Sequence, residues 1–491
     1  MLRLRRLHST GPGDLLSSPR HIFLAICIAL LAVFYSLNIT GEHGWSDDGS
    51  VYIRHAQNLV AHRNYGDVLF TATPHTGAYQ KVYPPLLPLA LAPVVYFSGV
   101  NFTIFKREMY LFYLLSLALV PAALQTRMTV PGALAVVLLL GLNSNLLRVV
   151  DHVNANVLAL LLNLLFVIIV QRSDANSFAR GALAGSVAAA AFATSGIGVV
   201  AMGALVLYTA IRYRRMTRFL IAAAGVMIVL LALMHHSFVT EGIYMEQLRE
   251  RLNYITLRRN VIQYPLAVAT LLGASPILGI IVVLCFILGL IHQVRDGVGI
   301  WEYLAACHLA ILSLWPFSDP YRFLLPIMPL IVYYIVTGFA LLTSALPRRV
   351  AQAAVVLALA AVSASFVRGY FQDYRALQQG GIFAPESREI WQYVRNHTPS
   401  DSMILFRKQR TLSLLTGRHS AGFASDNPPG EDWADLCTVH PDYVLTAPLI
   451  FEDDRRILDP VLAGVPDKLV LAFSNPKFQL YAVKPGSCSP H

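Results

Sequence analysis

Chemistry is densest in W-S-D-D-G-S-V-Y at Trp45–Tyr52, which runs into an amphipathic R-H-A-Q-N-L-V-A-H-R and is followed by Y-P-P-L-L-P at Tyr83–Pro88. The adjacent carboxylates Asp47 and Asp48 repel each other, which raises one pKa or invites a cation. The plainer alternative is a solvated loop, or an N-cap on a helix starting near Ser50, which Asp48 would suit. A third acid, Asp151, lies in R-V-V-D-H-V-N at Arg148–Asn154. It could share a divalent cation with Asp47 or Asp48, or be a hydrated turn residue paired with Arg148. His152 and the His235-His236 pair are of a type that ligates metal, although histidines at a membrane interface are commoner than metal sites. Among the cations, Arg322 stands alone in a short polar break, whereas Arg249, Arg251, Arg258 and Arg259 are clustered near Glu241 and Tyr244. Such a cluster could meet lipid phosphates, or lie on a surface helix.

The elements that carry these residues follow from composition. Of 491 residues, 56% are hydrophobic and 13% charged, with mean hydropathy +0.55. Soluble domains carry about 25% charged residues, so a single water-soluble globule is excluded. The excess of 38 Lys and Arg over 28 Asp and Glu gives +10, which in a lipid-solvated chain reflects cytoplasmic loop charge rather than nucleic-acid binding. The basic N-terminus and apolar Ile22–Leu37 resemble a signal peptide, but no A-x-A-like site follows, so an uncleaved first helix is expected. Further apolar runs near 108–124, 130–147, 156–170, 181–195, 197–211, 219–238, 265–291, 300–316, 324–344 and 350–367 bring the expected number of transmembrane helices to about 11. With the N-terminus cytoplasmic, every inside loop then contains a basic residue: Arg127; Arg172 and Arg180; Arg212, Arg214, Arg215 and Arg218; Arg295; Arg348 and Arg349. The outside segments are 40–107, which would hold two surface helices, the turns at Arg148–Asn156, Ser195 and Ser318–Arg322, the loop 239–264, and everything after Val367.

Charge rises at Arg368. Residues 368–491 hold 13 Lys and Arg and 14 Asp and Glu, near the soluble norm. This marks an extracytoplasmic soluble C-terminal domain distinct from a transmembrane domain over 1–367. Its apolar residues Ile390, Trp391 and Val394 have helical spacing, and short apolar runs at Met403–Phe406, Tyr443–Leu445, Leu469–Phe473 and Phe478–Val483 read as strands, giving a small α/β domain. The five cysteines make no zinc spacing, and Cys437 with Cys488 is the one bridge worth testing. Ala-rich 182–193 reads as close helix packing.

Taken together, Asp47, Asp48, Tyr52, Ala56 and Leu59, then Tyr83-Pro84-Pro85-Leu86, Asp151, and Tyr321-Arg322-Phe323-Leu324-Leu325-Pro326 with Pro329, resemble the GT-C glycosyltransferase superfamily. The likeness is greatest to the branch of protein O-mannosyltransferases and bacterial lipid A aminoarabinose transferases. The tail stretches W-Q-Y-V-R-N-H-T-P-S-D-S-M-I-L-F and L-L-T-G-R-H are similar to the outer soluble segment of bacterial members. Tyr321-Arg322 reverses the common Arg-Tyr order, and the second acid of the usual D-E pair is Asp48, which leaves the roles of Asp47 and Asp48 exchangeable.

The resemblance implies a mainly α, polytopic GT-C-like fold. It also implies inverting transfer of a sugar from a polyprenyl-phosphate sugar donor to a glycan, lipid or protein acceptor on the extracytoplasmic face, in a bacterial inner membrane. An acceptor hydroxyl must lose its proton as it attacks, so Asp48 is the expected base with Asp47 as partner, and Asp151 would orient the acceptor. The departing phosphate needs fixed donors, and Arg322 can clamp its oxygens in bidentate fashion. Tyr321, Tyr52, Tyr83, Glu241 and Arg258 complete the expected substrate-binding set. No cofactor is certain from the sequence, and a divalent cation on Asp48 and Asp151 stays open.

Two other classes compete. A transporter or lipid flippase needs ionisable or unwound positions near mid-membrane, whereas the polar groups here collect at one face. A non-catalytic scaffold leaves the acidic pair and Arg322 without a role. No G-x-x-x-x-G-K-[ST] is present, which argues against nucleotide hydrolysis.

Overall fold

The computed structural model describes residues 19–73, 82–237, 254–315, 317, 319–423 and 432–488. Glu241, Tyr244, Arg249 and Arg251 lie outside the described residues, as do the side chains of His235 and His236.

The chain begins with α1 (Pro19–Asn38), α2 (Asp47–Val60), a three-residue strand β1 (Phe70–Ala72) and α3 (Leu86–Ser98). The bundle then comprises α4 (Phe102–Leu124), α5 (Val130–Gly141), α6 (Ser144–Val150), α7 (Ala155–Gln171), α8 (Phe178–Thr194), α9 (Val200–Tyr213), α10 (Arg218–Ser237), α11 (Tyr254–Ala269), α12 (Pro276–Asp296), α13 (Ile300–Leu314), α14 (Pro320–Leu324), α15 (Met328–Ser344) and α16 (Arg348–Gly380). Among the described residues five helical segments are long and apolar enough to cross a membrane, six if the bent pair α5 and α6 is one span, and several shorter apolar helices stand among them. The 17-residue α7 and α8 are about 25 Å long, less than a hydrocarbon core of about 30 Å.

The runs expected at 130–147, 265–291 and 350–367 differ in outline, the first being bent by 62° between α5 and α6. The apolar run 265–291 is divided, because Gly273 and Pro276 end α11 and start α12, with Pro276 in the first turn where its missing N–H costs nothing. The last run does not stop at 367: α16 is 33 residues long and passes through Arg368, where the charge rises.

Small residues bring helices into close contact, as the Ala-rich stretch led us to expect. A Cβ on Gly185 of α8 would stand 2.2 Å from the Ala223 carbonyl oxygen of α10, and one on Gly338 of α15 would stand 1.8 Å from that of Cys285 on α12. Large side chains fill the rest of the core, with Tyr35, Phe105, Tyr113, Phe166, Trp301 and Tyr333 fully buried.

The turns gather at two ends. At one, Arg127 pairs with Glu302, Arg172 donates to Gln125, and the Phe219 amide donates to the Ala175 carbonyl. At the other, about 30 Å away along α4, the loop before α2 meets the end of α16: the Trp45 indole donates to the Gly380 carbonyl and the Ile382 amide to the His43 carbonyl.

Beyond α16 the tail contains α17 (Pro385–His397), β2 (Met403–Leu405), α18 (Gln409–Thr416), β3 (His419–Gly422), α19 (Trp433–Cys437), β4 (Tyr443–Thr446), β5 (Leu469–Ser474) and β6 (Gln479–Val483). Alternation sends Ile404 to one face, with Ile390, Trp391, Val394, Phe478 and Leu480, and Leu405 to the other, with Ala421, Val444 and Leu436. The strands expected at 403–406, 443–445, 469–473 and 478–483 are present, and Cys437 is bridged to Cys488. The sheet order is β1-β3-β2-β4-β6-β5, parallel from β1 to β4 and antiparallel after it. Its first strand comes from the loop before α3: Phe70, Thr71 and Ala72 pair with Ser420, Ala421 and Gly422. The 40–107 loop and the tail therefore share one sheet.

Candidate active site

The helix α2 begins at Asp47 with Ser46 at its N-cap, so both acids occupy the first turn, where the helix dipole favours negative charge, and Asp48 is not the cap. One face of α2 is buried through Val51, Tyr52, His55 and Ala56, which fixes the direction in which the first turn presents its carboxylates. His55 holds the following segment: its Nδ1 donates to the Tyr65 carbonyl at 2.9 Å, and its Nε2 accepts from the Tyr83 amide at 3.1 Å. Burial pushes this imidazole down to about 4, so it is neutral, in agreement with one donating and one accepting nitrogen. The Tyr83 amide lock sets the phenol of Tyr83 over α2, with its ring 4.9 Å from that of Tyr52.

Asp48 is the centre of the site. Its Oδ1 accepts from the Tyr83 hydroxyl at 2.6 Å and from Arg410 Nη1 at 2.7 Å, and its Oδ2 accepts from Arg322 Nη2 at 2.6 Å. Burial opposes ionisation of this carboxyl, but the Arg322 and Arg410 charges and the Tyr83 hydrogen bond outweigh it and hold Asp48 well below the usual carboxylate range. The side chains of Asp48 and Arg322 keep 28% and 22% exposure, that of Arg410 only 9%, so Arg322 is on the open side. The buried Nε of Arg322 has no hydrogen-bond partner among the described residues.

Asp47 turns the other way, accepting from the Thr411 amide at 3.2 Å and the Thr411 hydroxyl at 3.0 Å, and so ties α2 to the tail helix α18. Asp151 stands at the end of α6, in the turn on which α2 rests: a Cβ on Gly49 would come 3.2 Å from the Val153 carbonyl oxygen. Its carboxylate accepts from Lys106 Nζ of α4 at 2.7 Å and from the Tyr110 hydroxyl at 3.4 Å. Burial raises Asp151 above the ordinary range despite the Lys106 charge. One carboxyl is thus pushed down and another up at the same end of the bundle.

Of the expected residues, Asp48, Tyr83, Tyr52 and Arg322 converge, and Asp47 and Asp151 flank them with partners of their own. Tyr321 points elsewhere, its hydroxyl 2.7 Å from that of Thr270 beyond α11, and Arg258 is exposed on α11. His152 Nδ1 donates to the Arg148 carbonyl and the ring stands edge-on to His43, 4.9 Å between ring centres; burial keeps it below its ordinary range. Sequence reasoning missed Arg410, Thr411 and Lys106. Lys106 opens the charged triplet Lys106-Arg107-Glu108 just ahead of the apolar run at 108–124, so nothing in the sequence set it apart.

A divalent ion shared by Asp48 and Asp151 would have to displace cationic partners from both. Both oxygens of Asp48 are taken by guanidinium and phenol donors, Asp151 is paired with Lys106, and no group of three His, Cys, Asp or Glu able to hold an ion occurs among the described residues.

No family model matches the chain, and no curated protein matches it significantly. Solved structures do match in fold. ArnT from Cupriavidus metallidurans bound to undecaprenyl phosphate superposes with TM-score 0.54 at 11% identity, over 97% of this chain and 100% of that one. The Archaeoglobus fulgidus oligosaccharyltransferase AglB superposes with TM-score 0.57 at 12% identity in complex with an inhibitory peptide and a dolichol-phosphate, over 96% and 75% of the two chains. Its complex with Zn and sulfate gives TM-score 0.54 at 12% identity over 94% and 73%. Both proteins are GT-C superfamily glycosyltransferases, and the chain has the GT-C fold that the sequence resemblance led us to expect.

Proposed function

We propose that this chain is a membrane glycosyltransferase that moves a sugar from a polyprenyl-phosphate donor to an acceptor on the extracytoplasmic face, with inversion at the anomeric carbon. What carries the reading is the meeting, at one end of an apolar bundle, of an ionised carboxylate with an arginine whose side chain keeps 22% exposure and whose buried Nε has no partner among the described residues. The fold it shares with ArnT and AglB, one bound to undecaprenyl phosphate and the other to a dolichol-phosphate, supports the same class of donor.

In this reading the acceptor hydroxyl attacks the anomeric carbon from the face opposite the phosphate. Its proton passes to Asp48, the carbon–oxygen bond to phosphate breaks, and the electron pair leaves on polyprenyl phosphate. Arg322 meets that growing charge, and its planar fork suits phosphate oxygens better than a lysine would. Attack in line requires the sugar to lie between base and phosphate clamp, so the resting Asp48–Arg322 contact opens as the donor enters. Asp47 fastens α2 to the tail, and Asp151, neutralised by Lys106, supports the turn beneath Gly49. Tyr52 and Tyr83 border the sugar. In this resting arrangement the charge of the carboxylates is met by Arg322, Arg410 and Lys106.

The test is transfer of label from polyprenyl-phosphate sugars to envelope extract by purified protein, wild type against Asp48→Asn. Loss of a general base lowers the rate by about 10²- to 10⁴-fold. Equal transfer by both proteins removes Asp48 as base. A transporter would instead move the lipid or solute without forming a glycosidic bond.

A further inference from the structure

We propose that Arg410, delivered by the tail helix α18, is the positioning residue that fixes Asp48 while Arg322 changes partners; the inference rests on the glycosyltransferase reading above. The two oxygens of Asp48 keep different company. Oδ1 is held by Arg410 Nη1 at 2.7 Å and by the Tyr83 hydroxyl at 2.6 Å, and the same Nη1 lies 2.7 Å from that hydroxyl, so three atoms close a triangle. The Arg410 guanidinium lies over the rings of Phe70 and Tyr83, at 5.3 and 5.6 Å from their centres, and is nearly buried. Oδ2 is engaged by Arg322, whose side chain is more exposed, 22% against 9% for Arg410.

The contact that must open for in-line attack is therefore the one on Oδ2. When Arg322 turns to the donor phosphate, a carboxylate held by nothing else would swing with it or take up a proton. Arg410 prevents both. It keeps Oδ1 in place, so Oδ2 faces the acceptor hydroxyl, and its charge keeps Asp48 ionised and ready to receive the proton. Arg410 itself neither gains nor loses a proton and does not reach the phosphate.

Its own placement is firm. The Ser420 hydroxyl of β3 donates to the Gln409 carbonyl at 2.7 Å, Thr411 holds Asp47, and the Ser50 and Thr411 hydroxyls are 3.2 Å apart. Phe70, on which the guanidinium stacks, is the first residue of β1 and pairs with Ser420. The tail thus supplies an essential contact to the carboxylate instead of merely covering it.

The experiment compares full-length wild type, Arg410→Met and Arg410→Lys in detergent, with a labelled polyprenyl-phosphate hexose for kinetics and undecaprenyl phosphate for binding. Arg410→Met is expected to lower kcat about 100-fold and to move the acid limb of kcat upward by about one pH unit or more, since an opposite charge in contact depresses a carboxyl by about one to three units. Undecaprenyl phosphate affinity should stay within about threefold, and Arg410→Lys should recover part of both kcat and the acid limb. An unmoved acid limb together with a tenfold loss of phospholipid affinity overturns the proposal and makes Arg410 a donor ligand. Should Arg410→Met not fold, Arg410→Gln, which also removes the charge but keeps a polar donor, supports the same comparison. A substrate-free cycle of melting temperatures over wild type, Arg410→Met, Asp48→Asn and the double variant separates the two readings. Non-additive losses with no sugar transfer by any protein would sink the glycosyltransferase reading and leave the clamp standing. Additive losses alongside intact transfer would sink the clamp alone.

Discussion

Lys106 is the residue whose removal tests most directly how this site is supported. Its side chain is 1% exposed, and its ammonium is 2.7 Å from an Asp151 carboxylate that is itself only 13% exposed. Replacing it by Met leaves a buried carboxylate without its cation, a change that costs about 3–5 kcal/mol when one member of a buried pair is deleted. Burial already raises Asp151, and loss of the Lys106 charge raises it further, so the orphaned carboxyl escapes part of the penalty by taking up a proton. The destabilisation is therefore largest near pH 8 and shrinks as pH falls. Adding Asp151→Asn removes the charge altogether and should return about 2–3 kcal/mol. Unfolding of the four proteins in detergent, followed by tryptophan fluorescence at pH 6 and pH 8, measures the cycle. The reasoning fails if Lys106→Met alone costs less than about 1 kcal/mol, or if the double variant is as unstable as the two single losses added. Transfer measured in the double variant then separates a supporting Asp151 from a reacting one: a supporting residue allows activity to return with stability.

Tyr83→Phe removes one hydrogen bond to an ionised carboxylate, worth about 1.5–3 kcal/mol, so kcat/KM should fall about ten- to a hundredfold with the protein still folded; an unchanged value would show that the phenol does not hold Asp48. His55 has a folded pKa of about 4, below its unfolded value near 6.5. Its depressed pKa contributes stability that is complete above pH 6.5 and is lost as pH falls toward 4, to the extent of about 3 kcal/mol. Melting curves of wild type over that window should fall more steeply than those of His55→Gln, and parallel curves would rule the imidazole out as the cause.

Much of the site could be read from the chain because its residues sit in local text: Asp47 and Asp48 in one turn, Tyr83 before two prolines, Arg322 in a polar break between apolar runs. Arg410 could not. It is 362 residues from Asp48, and R-K-Q-R in a charged tail looks like any solvated helix start until the sheet brings it to α2. β1 was unreadable for a similar reason: three residues, F-T-A, carry no period, and only their partners in β3 make them a strand. Tyr321 illustrates the opposite error, since its neighbour Arg322 enters the site while the tyrosine, one position away on a short helix, faces Thr270. Spans were legible where apolar length alone decides. They were less so at Gly273 and Pro276, where backbone chemistry divides one hydrophobic run, and along α16, whose helix continues after its composition has turned polar.

The strand shared between the early loop and the tail bears on biosynthesis. A ribosome that has made every bundle helix has still not made β3 or the second guanidinium, so the nascent chain holds Asp48 in an unfinished setting. Under the proposed function, scarce lipid-linked sugar is then safe from an incomplete enzyme, and a product cut short before Gly422 is inert as well as untidy. On that reading, completion of translation itself becomes the step that arms the catalyst.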